Sequence, residues 1–137
     1  MEIAAEAIGQ MYEESVVVLK KILAEQSDIN FIWCWNQMTT NAAVETVKKM
    51  GRNDIIIAGT DMSIALAREM LNPDTNVIAI TTQQPYEMGY NAVDAAIKCV
   101  KGEKPEASIS IPTLTYTKEN PQEVQKYIDE HKKFVKE

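Results

Sequence analysis

Apolar and polar residues follow two alternating periods along this chain, and the switches between them predict its elements. Tyr12, Val16, Leu19 and Leu23 recur at helical spacing while Glu13, Glu14, Lys20, Lys21 and Glu25 take the other sides, so Tyr12 to Gln26 reads as an amphipathic helix ended by Ser27-Asp28. Ile29 to Trp35 is strongly β-prone and closes on Asn36. Met38 to Met50 returns to helical spacing, with Ala43, Val47 and Met50 on one stripe and Gly51 as its stop. In Asn53–Asp61 (NDIIIAGTD), the unbroken run Ile55-Ile56-Ile57-Ala58 predicts a strand buried on both faces, the habit of parallel sheets covered by helices. Ser63 to Leu71 is a short helix carrying Ile64, Ala67 and Leu71, stopped by Asn72-Pro73, and Val77 to Thr81 is another strand.

The two ends of the chain complete the pattern. The opening MEIAAEAIG alternates Ile3, Ala5 and Ala7 with more polar positions and predicts a strand closed by Gly9. Pro85 suits the first position of a helix, and Tyr86, Tyr90, Val93, Ile97 and Val100 form its stripe before Gly102. Ala107 to Tyr116 is extended, with Pro112 demoting it to an edge or bent strand. Asn120-Pro121-Gln122-Glu123 reads as a capped helix start, and Tyr127, Ile128, His131 and Val135 face inward from that last helix. Strand–helix units at a spacing of about 25 residues predict an α/β fold, a doubly wound, mostly parallel sheet flanked by helices, in one unit spanning 1–137.

Composition narrows the function classes. Apolar residues are 45% and charged residues 25%, ordinary globular usage, and 137 residues suffice for one core. The net charge of −6, from 14 Lys+Arg against 20 Asp+Glu, argues against nucleic acid as a partner. Cys34 and Cys99 read as small buried hydrophobes, and the lone His131 has no Cys or His near it, so neither a metal nor a cofactor is expected. No run approaches the ~20 apolar residues of a membrane span. Met1-Glu2-Ile3 lacks the basic start of a signal segment, so none is expected within this chain.

Candidate chemistry gathers at the strand ends. In open α/β sheets ligands bind at the carboxyl edge, and Asn36, Asp61 and Gln83 each follow a strand of this chain. Right-handed crossovers would bring such ends side by side. Two amides and a carboxylate suit a neutral polyhydroxylated ligand, with Asp61 accepting from neighbouring hydroxyls. The competing expectation is that Asn36 and Asp61 merely cap the helices that follow, and that Gln83 is simply exposed. Trp33, Trp35 and Phe31 share one strand face; large core residues under a helix is the first reading, with Trp35, nearer the strand end, the better candidate for stacking on a sugar. No GxGxxG, GK[ST] or GxSxG element is present. A phosphoacceptor role for Asp61 would need acids after the first strand, where Ile8-Gly9-Gln10 stands, and a strand-end Lys before Pro85. An enzyme is therefore not expected.

The segments FIWCWNQ, IIIAGTD, ITTQQPYEMGYNAVDAAIKCVKGEKP and IPTLTYTKEN resemble the carboxyl-terminal half of type I periplasmic sugar-binding proteins of ABC transporters, the ribose-binding group. The resemblance implies a solute-binding component that captures a small sugar or polyol for an ABC permease, periplasmic or extracellular and membrane-associated in the intact parent. It makes Asn36, Asp61 and Gln83 the sugar contacts of this lobe. The family's acid after that Asn is Gln37 here, which leaves the sugar open. The alternative with the same fold is the ligand-sensing domain of a transcriptional regulator or signalling receptor.

By the same resemblance the chain is most of one incomplete lobe. It would lack a whole lobe and a strand lying between the opening strand and the one that ends at Asn36. Residues 85–105 would cross a hinge to the absent lobe, exposing Tyr86, Tyr90, Val93 and Val100. The expected consequences are weak or absent sugar binding and a homodimer through segment exchange or the exposed 86–100 helix face.

Overall fold

In the computed structural model, which describes residues 2–134, the three apolar runs become neighbouring parallel strands. They are β1 (Phe31–Cys34), β2 (Ile56–Thr60) and β3 (Val77–Thr82). Their register aligns Cys34 with Gly59 and Thr60 with Thr81, with an irregularity between Ile57 and Ala58. A fourth strand, β4 (Leu114–Thr117), lies beside β3, so the order among the described residues is β1-β2-β3-β4. It runs antiparallel: Lys118 N–H donates to Ile78 O at one end, and the Thr81 and Thr115 hydroxyls pair at the other. Pro112 keeps β4 short and at the edge, as its missing donor requires.

Contacts divide the chain into two units, Thr82–Leu114 and the remainder. The larger unit holds α1 (Tyr12–Glu25), α2 (Gln37–Lys49), α3 (Ile64–Met70) and α5 (Pro121–His131). α1 packs on α2, α2 on β1 and β2, and α3 on α5. The core joins Leu23, Val47, Ile55, Ile57, Leu66, Val77, Ile80 and Val124, all buried. Gly51, at φ +68°, ends α2 in the left-handed conformation expected of a helix stop. Arg52 Nη2 donates to Ser27 O (3.0 Å) and Ile29 O (2.8 Å) and pairs with Asp54, tying the turn before β1 to the entry of β2.

The smaller unit carries α4 (Pro85–Val100), none of whose described residues is buried. Tyr86, Tyr90, Val93 and Val100 are exposed, as expected. Within this unit Gln84 Nε2 donates to Pro112 O at 2.8 Å, joining its two ends.

Several expectations are corrected. Residues 2–10 form no strand, so the first unit opens with α1; alanine and glutamate, which make up most of this segment, are poor strand formers. Ile56 is 43% exposed, so β2 is buried on one face only. Trp33 is 63% exposed and not a core residue, because α2 packs on the other face of β1, where Cys34 is buried. Cys99 is exposed, and so is Met50, which is the C-cap of α2. Asn120 makes no side-chain cap among the described residues. Of the inward set on α5, Ile128 is buried, Tyr127 and His131 are half-buried, and Val135 lies outside the described residues.

Candidate functional site

The carboxyl edge of β1 and β2 positions the first two candidates. Asn36 stands two residues past Cys34 and Asp61 two past Gly59, and Cys34 and Gly59 are register partners, so both candidates follow the same end of adjacent parallel strands. Neighbouring strands run roughly 5 Å apart.

Asn36 is the N-cap of α2. Its Oδ1 accepts from Thr39 N–H at 2.8 Å, its carbonyl accepts from the Thr40 hydroxyl at 2.7 Å, and Thr39 closes a capping box. The capping expectation therefore holds, yet it does not exhaust the side chain. Committing Oδ1 to the helix fixes the amide plane and leaves Nδ2 with two donors to present.

Asp61 is not a helix cap. Ser63 performs that task for α3, its Oγ accepting from Leu66 N–H at 3.2 Å. Asp61 instead sits at φ +64°, the one described non-glycine residue in the left-handed region, and its N–H donates to Thr81 O at 2.9 Å. That conformation costs an L-residue about 1–2 kcal/mol, and such costs cluster at functional positions. Asp61→Ala is accordingly expected to lower stability by about 1 kcal/mol and Asp61→Gly to hold or raise it, since glycine accepts the backbone without strain. Urea unfolding of both variants checks this; equal losses would mean that the conformation carries no cost.

Gly59 shapes the floor of this edge. A Cβ there would overlap Thr40 Oγ1 and lie 3.0 Å from Thr40 Cγ2 and 3.3 Å from Cys34 O. The missing side chain thus lets α2 settle on β2 with Thr40 aimed at the Asn36 carbonyl. Thr60, beside Asp61, keeps a buried hydroxyl with no partner among the described residues.

Trp35 is 53% exposed and lines a groove of about 170 Å³ with Phe31, Trp33, Ala5 and Ala7, a groove whose lining includes neither Asn36 nor Asp61. Gln83 follows β3 directly, is exposed, and belongs to the smaller unit. Burial pushes the Cys34 thiol up to about 11, so this cysteine stays protonated and inert near neutral pH. The arrangement offers a carboxylate and an oriented amide, groups that bind hydroxyls.

Comparison with known proteins places the chain in a family. The model of the periplasmic binding protein domain matches residues 1–104. No individual curated protein sequence matches. Among solved structures, an ABC transporter solute binding protein from Agrobacterium vitis with bound allitol is 22% identical with a TM-score of 0.79, over 89% of this chain and 43% of that one. An ABC sugar transporter subunit from Rhodobacter sphaeroides is 26% identical with a TM-score of 0.75, over 86% and 44%. A glucose-galactose binding protein from Geobacillus stearothermophilus is 22% identical with a TM-score of 0.72, over 78% and 38%. The chain spans about two-fifths of the length of these structures. The mostly parallel sheet is theirs, and the chain belongs to the periplasmic binding protein family.

Proposed function

We propose that this chain is a sugar-recognising lobe of a solute-binding protein that serves an ABC permease outside the cytoplasm. The observation that supports this is the register of Cys34 on Gly59, from which Asn36 and Asp61 each follow two residues on at the carboxyl edge of β1 and β2, in a fold whose relatives hold allitol, 5-methylthioribose and D-arabinose. Asp61 accepts from ligand hydroxyls and Asn36 Nδ2 donates to a hydroxyl or ring oxygen. Gln83 supplies a further amide, and Trp35 an aromatic plate. Capture without turnover is the task, in keeping with relatives that are solute-binding proteins. Residues 85–105 cross to a second lobe, which covers the Tyr86, Tyr90, Val93 and Val100 stripe; without that lobe the same stripe pairs two copies of the chain.

One lobe gives part of the contacts and no closure to exclude water, so binding by this chain alone is weak. Calorimetry with a panel of pentoses, hexoses and polyols is expected to show saturation only above about 1 mM, and none with Asp61→Asn. Micromolar binding would overturn the single-lobe assignment, and millimolar binding untouched by Asp61→Asn would overturn the site.

A further inference from the structure

Asp61 occupies a backbone conformation that the chain would leave if it could, so something must hold it. One restraint is the hydrogen bond from its N–H to Thr81 O in β3. Another comes from far along the sequence: Tyr127 Oη, on α5, donates to Met62 O at 2.9 Å. Only the φ and ψ angles of Asp61 and Met62 separate these two anchors. We infer that Tyr127 is a positioning residue for Asp61, fixing through the Met62 carbonyl the left-handed turn that aims the carboxylate at a ligand. The inference rests on the sugar-site reading of Asp61 given above.

The tyrosine is itself well held. Its ring stacks on His131 with centroids 4.1 Å apart and meets Tyr116 of β4 edge-on at 5.3 Å. His131 Nδ1 lies 2.8 Å from Tyr127 O. Val124 and Ile128, buried on the same helix, anchor α5 to the core. The Met62 side chain is buried too, so the segment between the two hydrogen bonds is gripped by packing as well. Burial holds the Tyr127 phenol above its ordinary value, which keeps it a donor at neutral pH.

Tyr127→Phe tests this, because it keeps the ring and removes only the hydroxyl. Amide hydrogen exchange of Asp61, read by NMR without any ligand, is the decisive measurement. Exchange at Asp61 is expected to quicken about tenfold while the Ile57 and Ile80 amides keep their rates. Tyr116→Phe, which removes a phenol from the same aromatic group, should leave Asp61 unchanged. An Asp61 amide unmoved by Tyr127→Phe, or one that moves only in step with Ile57 and Ile80, would overturn the inference and leave Tyr127 a packing residue. The millimolar sugar response of the wild type should weaken severalfold in Tyr127→Phe, and an undiminished response would overturn the positioning role. Complete absence of sugar binding would sink the sugar reading alone, since the exchange rates still decide whether Tyr127 holds the turn.

Discussion

Gly59→Ala is expected to cost about 3 kcal/mol of stability, at the upper end for a single added methyl. The new Cβ overlaps Thr40 Oγ1 and crowds Thr40 Cγ2 and Cys34 O. Thr40 is fully buried, and as a β-branched side chain it has few rotamers into which to retreat. Its hydroxyl is also engaged with Asn36 O at 2.7 Å. The methyl therefore either pushes α2 off β2 or breaks the bond that seats Asn36. The effect is local and should be partly relieved by Thr40→Ala, which opens space at the cost of that bond. A double-mutant cycle in urea is expected to give a coupling of about 1–2 kcal/mol in favour of the double variant. A loss below about 0.5 kcal/mol for Gly59→Ala alone would show that the helix does not rest on the glycine in this way.

That contact also marks where the sequence stops being legible. NDIIIAGTD announces a strand ending in an acid, and the stripe and glycine stop of α2 are equally plain, because both depend on residues a few positions apart. Which strand face is covered depends on where helices land. The same β-prone aromatics that predict a core position for Trp33 leave it exposed once α2 takes the other side of β1. The Ile3–Ala7 alternation meets a pattern rule, but pattern alone does not supply the ladder of hydrogen bonds that makes a strand, and residues 2–10 form no strand. Asn36 and Asp61 look alike as residues that follow strands. What separates them is that α2 begins directly after Asn36, whereas α3 begins after Ser63, which holds the N-cap position there. Thr40 beneath Gly59, and Tyr127 on the Met62 carbonyl, are joined only by the fold, the latter across 65 positions of sequence.

Leu66→Ala is expected to cost about 3–4 kcal/mol, from the lost transfer energy of the side chain together with the cavity it leaves. Leu66 is 1% exposed and belongs to the cluster that joins α3 to the sheet. α3 has only seven residues, too few to persist on helical propensity, so packing holds it. For a domain whose whole stability is about 5–15 kcal/mol, this is a large fraction, corresponding to a fall in Tm of roughly 10 °C. The loss should also reach the candidate site. The Ser63 cap serves the Leu66 N–H, so a loosened α3 slackens the lead from Asp61 through Met62. Ala65→Ser, on the exposed side of the same helix, should change stability by less than about 0.5 kcal/mol. Thermal melts of the two variants, with hydrogen exchange at Asp61, decide the matter. A drop below about 1 kcal/mol for Leu66→Ala would mean that α3 is not seated by its core face, and that the turn bearing Asp61 takes its rigidity from elsewhere.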